Sequence, residues 1–173
     1  MALLSFINDT TVIDTQSWQE FMMSDLFDIK SSQYHDPIHY NTGNTPYIAR
    51  SKFNNGEEKE RKEVAEDKIY PANCIIIGGE SACAFYQDIP FITGNNIRRI
   101  YAKKDKSILN KYIALFICSL LNKEGKKYDY GYTWTKERLE KTVIKLPVKN
   151  GIPDWEYLDV FIQTRYKNIL TYL

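Results

Sequence analysis

Short apolar runs separated by turn residues dominate the middle of this chain and limit the folds that are open to it. The run at 74–77 is apolar and rich in β-branched residues, and Pro71 and a Gly-Gly pair bound it. Such a run predicts a buried strand. Further short strands are predicted at 85–86, 89–92 and 97–101. Many short strands with few helices between them predict an α+β fold with a small mixed or antiparallel sheet, and not a doubly wound one.

Two helices complete the predicted architecture. Apolar residues recur every three or four positions over 107–123, with Ser107 as the predicted N-cap and Gly125 as the stop. A second helix is predicted after Asp154. We therefore predict a domain at 1–150, with one packed helix, and a C-terminal spacer or dimerisation helix at 151–173. The apolar stripe of this last helix needs a cover, either its own domain or another chain. The residues predicted to meet a partner are Trp155, Leu158, Phe161, Ile162, Ile169 and Leu173.

Length and composition indicate one soluble domain. The 173 residues are 43% hydrophobic and 26% charged, which is typical of globular proteins. No apolar stretch is long enough to span a membrane, and no secretory signal is recognisable. Three cysteines, an odd number, favour a reducing compartment over a disulfide framework. The cytoplasm is therefore the predicted location.

A net charge of +1 conceals a strong asymmetry along the chain. Residues 1–86 carry 7 basic and 13 acidic side chains, whereas residues 87–173 carry 16 basic and 9 acidic ones. The segment 98–149 alone has 14 basic and 5 acidic side chains, a net of +9. A one-sided positive field is the expected footprint of a phosphate-binding surface, although a solvated helix face would also produce it.

Sequence patterns for catalysis are weak. His35 and His39 are the only histidines, and neither has a Cys or Glu partner at metal-binding spacing. Two acidic-x-Lys triplets, at 66–68 and 124–126, match half of a metal-dependent nuclease site, but a charged chain contains such triplets by chance. No nucleophile elbow, P-loop or Cys-x-x-Cys pair is present. We predict no catalytic residue, no metal and no cofactor, and a nuclease remains a distant alternative.

Three stretches contain side chains that suit DNA binding. Arginine can bond guanine in a bidentate way, asparagine can bond adenine, and a glutamate can accept from cytosine. Basic residues interleaved with aromatics suit a phosphate backbone or an extruded base. Solvated turns would give each stretch alone the same appearance. The predicted DNA-binding residues are Arg50, Ser51, Lys52, Asn54, Asn55, Gly79, Glu80, Ser81, Arg98, Lys126, Lys127, Tyr128, Tyr130 and Trp134.

The order of several short motifs resembles a known family over residues 18–163. The matching stretches are Trp18-Gln19-Glu20-Phe21, Asp25 to Ile29, Thr45-Pro46-Tyr47-Ile48, Asn54-Asn55-Gly56, Ile144 to Val148, and Gly151-Ile152-Pro153-Asp154-Trp155. The chain resembles the target-recognition domain of the specificity (S) subunits of Type I restriction-modification systems, especially the form found in BcgI-like Type II systems.

The resemblance implies a protein without catalysis that reads a short half-site of duplex DNA. In that family a helix after the recognition domain spaces two such domains and docks the methyltransferase (M) subunits, which bring S-adenosylmethionine and flip the target base. The implied partners are double-stranded DNA, an M subunit, a restriction subunit, and a second copy of this chain through the C-terminal helix. A complete S subunit usually has two recognition domains and two long helices, whereas one of each is predicted in this sequence. Three alternatives stay open: a half-length subunit that pairs with itself, an isolated domain, or a piece of a longer fusion.

A second hypothesis belongs to another class of function. The chain could be a protein–protein interaction module, in which the C-terminal helix and exposed tyrosines form the binding surface and the basic segment is incidental. Deletion of residues 155–173 separates the two hypotheses: if DNA discrimination survives and only assembly is lost, the first hypothesis stands.

Overall fold

The computed structural model describes residues 14–128 and 131–171, with side chains up to residue 167. In chain order its elements are β1 (Gln19–Met22), α1 (Met23–Leu26), β2 (Phe27–Ser31), β3 (Thr42–Thr45), β4 (Tyr47–Ile48), β5 (Cys74–Gly78), β6 (Ala84–Gln87), β7 (Ile92–Thr93), β8 (Ile97–Ala102), α2 (Lys111–Gly125), α3 (Lys136–Glu140), β9 (Val143–Leu146), β10 (Val148–Lys149), β11 (Ile152–Pro153) and α4 (Trp155–Thr171). Single 3₁₀ turns occur at Pro37–His39, Asn54–Gly56 and Glu66–Lys68.

A four-stranded sheet in the order β2-β8-β5-β6 forms the centre of the fold. Every neighbouring pair in it is antiparallel. Three further two-stranded pairs surround it: β1 with β9, β10 with β11, and β4 with β7, of which only the last is parallel. The sequence-based prediction of an α+β fold with a small mixed or antiparallel sheet is confirmed.

Strand β5 is buried on both faces, because each face of the sheet covers a separate hydrophobic core. Successive side chains of a strand point to opposite faces. Ile75 and Ile77 accordingly belong to the larger core, which also contains the inner face of α2 and Trp134. Ile76 and Cys74 belong to a smaller core on the opposite face, with Phe91. The turn that follows β5 is therefore anchored from both sides of the sheet.

The N-cap of helix α2 lies three residues later than the sequence pattern predicted. Its N-cap is Asn110, whose side-chain oxygen accepts from the backbone N–H groups of Tyr112 and Ile113, both at 3.0 Å. Ser107 instead donates its hydroxyl to the Leu26 carbonyl at 2.6 Å. The predicted N-cap was wrong because a long-range hydrogen bond engages the Ser107 side chain.

The end of α2 packs directly against the turn between β5 and β6. Gly125 is buried, and a Cβ placed there would collide with the backbone carbonyl oxygen of Ala82. Gly125→Ala is therefore expected to lower the free energy of unfolding by about 1–3 kcal/mol, although helix propensity alone favours alanine by about 1 kcal/mol. Urea denaturation measures the change, with Ser119→Ala on the exposed side of α2 as the control. A stabilised Gly125→Ala variant would contradict this close contact.

Helix α4 starts inside the larger core. Trp155 and Leu158 are 9% and 0% exposed, and the indole N–H of Trp155 donates to the Lys106 carbonyl at 3.1 Å. Asp154 caps the helix as predicted, since its carboxylate accepts from the Tyr157 N–H at 3.0 Å. The prediction that Trp155 and Leu158 meet a partner is thus wrong, because their own domain covers them.

The remaining predicted partner residues have different positions. Phe161 and Ile162 are half-buried, and Ile162 packs against the larger core. Leu173 and the side chain of Ile169 lie outside the described residues. The division of the chain at residue 150 stays a prediction, and the first turns of α4 share the core of the preceding domain.

The three cysteines form no disulfide with one another. Burial raises the pKa of both Cys74 and Cys118 to about 12, so these two thiols are protonated at neutral pH. Cys83 is half-buried. Among the described helices, none combines the length and the apolar character needed to cross a bilayer.

Candidate nucleic-acid interface

The three DNA-binding stretches predicted from the sequence converge on the turn between β5 and β6, residues 79–83. Arg50, from the first stretch, donates a charge-assisted hydrogen bond to the carboxylate of Glu80. The backbone N–H of Trp134, from the third stretch, donates to the Gly79 carbonyl at 2.7 Å. The end of α2, which precedes Lys126 and Lys127, packs against Ala82. Residues far apart in sequence are therefore brought to one end of the central sheet.

Four polar side chains form a connected network at this end, which we call the recognition cluster: Arg50, Glu80, Asn96 and Arg98. Arg98 Nη2 donates to Asn96 Oδ1 at 2.8 Å, and Asn96 Nδ2 donates to Glu80 Oε1 at 3.5 Å. Arg50 Nη1 donates to the other carboxylate oxygen of Glu80. The side chains of Arg50 and Glu80 are 38% and 25% exposed, so this pair forms the outer end of the network.

Arg98 forms the inner end of the recognition cluster. It is half-buried, and this burial lowers the pKa of its guanidinium while the nearby Glu137 carboxylate opposes the shift. Its Nε is buried and has no hydrogen-bond partner among the described residues, as is also true of Ser81 Oγ. Arg98 thus positions Asn96 from within the fold.

Gly79 allows the recognition cluster to assemble. Its backbone N–H donates to the Asn96 carbonyl at 2.9 Å, and its own carbonyl accepts from Trp134. A Cβ at this position would lie 2.8 Å from Asn96 Nδ2. Gly79 was predicted to contact DNA. Both of its backbone groups bond within the protein, so Gly79 positions the neighbouring residues instead.

The loop at 50–56 holds two asparagines in the left-handed region, with φ of 49° for Asn54 and 55° for Asn55. Their side-chain amides donate to the carbonyls of Glu57 and Tyr86, both at 2.9 Å. These bonds stabilise the loop, so the two residues, which were predicted to read adenine, have a structural role in the protein without DNA.

The same loop presents other side chains to solvent. Ser51 bonds through its hydroxyl to the backbone of Phe53 at 3.1 Å, and Lys52 is exposed without a partner among the described residues. Phe53 itself is 79% exposed. Phe53 is not predictable as a surface group from the sequence, because a single aromatic residue in a polar loop carries no pattern.

Trp134 was predicted to contact DNA, and this prediction is wrong. Its side chain is fully buried, and its indole N–H donates to the Thr142 hydroxyl at 3.2 Å. Tyr128 stacks on the Trp134 ring with centroids 4.6 Å apart and also on Tyr132 at 5.3 Å. The Arg138 guanidinium lies 3.8 Å from the centroid of the Tyr132 ring. The aromatic–basic pattern therefore marks a stack that runs from the buried Trp134 through the half-buried Tyr128 to the exposed Tyr132. Tyr130 lies outside the described residues.

A cleft of about 750 Å³ opens beside this aromatic stack, between the end of α2 and the β1–β9 pair. We call it the basic cleft, because its charged lining residues are Lys123, Lys127, Arg138, Lys141, Lys145, Glu20 and Glu124. The hydrogen bond to Glu124, 2.5 Å long, raises the pKa of Lys127, and Lys145 lies 3.7 Å from Glu20. The side-chain amines of Lys123 and Lys141 have no partner among the described residues.

Several cationic side chains near the cleft are available to an external anion. Lys126 is exposed and follows the end of α2, and its side-chain amine has no described partner. All five cations of the cleft come from the segment 98–149, whose net charge of +9 was noted in the sequence. Glu20 and Glu124 pair with only two of the five cations, so the cleft has a net positive charge.

Residues that could hold a metal ion are not grouped in the part of the chain that the structure describes. No three His, Cys, Asp or Glu side chains come together there. His35 is buried, and its backbone N–H donates to the Thr93 carbonyl at 3.1 Å. The Tyr47 hydroxyl in turn donates to the His35 carbonyl at 2.7 Å. His35 thus packs within the fold.

The comparisons with known proteins agree on one family. The family model for the Type I restriction modification DNA specificity domain matches residues 15–171. The chain belongs to this family. It is 31% identical over 156 residues to S.BcgI, the specificity subunit of a Type II restriction enzyme from Heyndrickxia coagulans, covering 88% of this chain and 45% of that protein. The chain therefore spans less than half the length of this curated relative.

Solved structures share the fold at low sequence identity. The S subunit of a Type I restriction-modification system from M. genitalium is 14% identical, with a TM-score of 0.61 over 91% of this chain and 42% of its own. The HsdS subunit from Thermoanaerobacter tengcongensis is 12% identical, with a TM-score of 0.62 over 95% of this chain and 41% of its own. A chain of another Type I system has a TM-score of 0.65, 14% identity and coverage of 98% and 44%. The resemblance noted in the sequence is confirmed, and this specificity domain adopts the S-subunit fold.

Proposed function

We propose that this specificity domain binds duplex DNA, reads its sequence with the recognition cluster, and directs a partner methyltransferase to the site. The convergence of Arg50, Glu80 and Arg98 at one end of the sheet is the observation that carries this proposal. Side chains that can bond base edges are concentrated there, and family membership supplies the context of restriction-modification.

Two parts of the surface have different roles in this proposal. The recognition cluster supplies hydrogen bonds to base edges, which carry sequence information. The basic cleft, with Lys123 and Lys141, contacts the phosphate backbone and fixes the register of the duplex. Lys126, just beyond α2, belongs with the cleft. Lys127, predicted earlier as a DNA contact, must first separate from Glu124.

The domain itself performs no covalent chemistry in this proposal. The buried thiols of Cys74 and Cys118 are protonated, and the cations of the basic cleft suit phosphate binding better than proton transfer. The methyltransferase partner brings its own cofactor and catalytic residues. The lack of disulfides fits the reducing cytoplasm, which is the location we propose.

The exposed face of helix α4 is a surface on which the chain could assemble with another protein chain. Val160 and Tyr157 are 59% and 44% exposed, whereas Trp155 and Leu158 are buried. Tyr157 stacks on Phe161 with centroids 5.9 Å apart. This outer face is the proposed contact for a second copy of the chain or for the methyltransferase. Because the inner face is part of the core, the outer face must be tested by substitution rather than by deletion of the helix.

Fluorescence anisotropy with the full chain tests the proposed function directly. Labelled duplexes of random and selected sequence are titrated at several salt concentrations. We expect affinity to fall steeply with salt, because phosphate contacts release counterions, and one subset of sequences to bind more tightly than the rest. The same samples with Mg²⁺ and S-adenosylmethionine should show neither cleavage nor methylation. Equal affinity for every duplex, or turnover by the chain alone, would contradict the proposal.

A further inference from the structure

A carboxylate, Glu80, lies at the outer end of the recognition cluster, where phosphates of bound DNA would repel it. Phosphate contacts are made by cations and by neutral donors, so a glutamate has no favourable partner on the DNA backbone. In the major groove, however, the exocyclic amine of cytosine is a donor that carboxylates accept from. The position of Glu80 thus favours contact with base edges over contact with the backbone.

Arg50 and Glu80 each keep unused bonding capacity after they bond one another. Arg50 uses Nη1 for Glu80, and its Nη2 and Nε have no described partner. Each oxygen of Glu80 accepts one bond, from Arg50 or from Asn96, and retains a second lone pair. The pair therefore presents donors and acceptors side by side to an incoming ligand.

The rest of the cluster fixes the orientation of this pair. Arg98 donates to the Asn96 oxygen at 2.8 Å, so the amide nitrogen of Asn96 is directed to Glu80. The Gly79 N–H bond to the Asn96 carbonyl holds the backbone of that residue at 2.9 Å. Glu80 is consequently held between two donors, and Arg50 is held by Glu80. A preorganised pair loses less side-chain entropy on binding than two free side chains.

The pattern of donors and acceptors on this pair matches one kind of base pair. In the major groove guanine shows two acceptors, N7 and O6, and its partner cytosine shows the N4 donor. An A·T pair places a donor where Arg50 would donate and an acceptor where Glu80 would accept. We propose that Arg50 and Glu80 together read a single G·C base pair of the target site, with Arg50 on guanine and Glu80 on cytosine. This inference rests on the proposed function.

Selection of bound sequences from a random duplex library by the full chain tests the inference. The wild-type motif should contain a G·C pair at one position that both Arg50→Gln and Glu80→Gln weaken. Each variant should reduce the preference at that position by about tenfold or more, and the other positions should keep theirs. Lys52→Gln, on the same exposed loop, is the control, and it should weaken all sequences equally. Circular dichroism and thermal unfolding verify that each variant is folded.

Failure of the shared G·C contact and failure of the proposed DNA-reading function give different results. A wild-type chain that selects no motif would overturn both. A motif that neither Arg50→Gln nor Glu80→Gln changes, or changes at two different positions, would overturn the shared G·C contact and leave the DNA-reading function in place. If Glu80→Gln fails to fold, Arg50→Lys replaces it as the test. Lysine keeps the charge but loses the bidentate geometry, so the G·C preference at that position should still fall, and an unchanged preference would overturn the contact.

Discussion

Neutralising Lys123 and Lys141 together is expected to weaken binding of every duplex roughly sixtyfold at about 0.1 M salt. Each lost phosphate contact removes about 0.9 from the slope of log affinity against log salt, which is a factor of about 8 at this concentration. Both lysines line the basic cleft and have no partner among the described residues, so their full charge is available. Anisotropy titrations of Lys123→Gln/Lys141→Gln over a range of salt measure the affinity and the slope together.

A charge-matched variant separates the cleft from net charge. Lys104 and Lys106 are exposed on the connection between β8 and α2, and Lys104→Gln/Lys106→Gln removes the same two charges. We expect this control to change affinity far less and to leave the slope nearly unaltered. Sequence preference should be the same in both double variants, because phosphate contacts carry no sequence information. An equal loss of affinity in the two double variants would show that the basic cleft does not contact the phosphate backbone.

Replacing Trp134 with alanine is expected to have the largest effect on stability, about 3–5 kcal/mol of the free energy of unfolding. The side chain is fully buried in the larger core, stacks on Tyr128 at 4.6 Å and donates to Thr142. Its removal leaves a cavity and a hydroxyl that has lost a donor. For a chain of this length the melting temperature should fall by roughly 6–20 °C.

Guanidinium unfolding followed by far-UV circular dichroism measures this loss without relying on tryptophan fluorescence. Trp134→Phe should retain most of the stacking and cost less than Trp134→Ala. Phe53→Ala serves as the exposed aromatic control, and it should change stability by less than about 0.5 kcal/mol because Phe53 is 79% exposed. A loss below about 1 kcal/mol for Trp134→Ala would contradict its central place in the core.

The sequence predicted an element correctly where the residues of that element alone specify its structure. The β-branched run at 74–77 predicted β5, and the period of three and four predicted α2. Asp154 was correctly identified as the N-cap of α4 from its position after Pro153. The N-cap of α2 was missed, because the bond between Ser107 and Leu26 spans 81 residues and leaves no local trace.

Candidate site residues were harder to predict, because residue type does not reveal which way a side chain faces. Trp134 and Tyr128 fit the pattern of a base-stacking surface, yet they stack on one another, and Trp134 is fully buried. Asn96 connects Arg98 to Glu80, but the sequence does not predict this role, since a lone asparagine in a turn has many uses. Arg50 and Glu80 were each selected for their chemistry, but their contact became visible only in three dimensions.

Under the proposed readout by Arg50 and Glu80, strand β5 has a consequence for how new target sequences arise. All five of its residues are buried between the two cores, and the strand ends where the turn carrying Glu80 begins. Mutations inside the strand threaten folding, whereas exchanges at Arg50 and Glu80 alter groups that reach the surface. A change at either position also removes the hydrogen bond between Arg50 and Glu80 from the other residue. Adaptation to a different site therefore favours coordinated replacement of both residues, so their identities should vary together among relatives while the strand beneath them stays apolar.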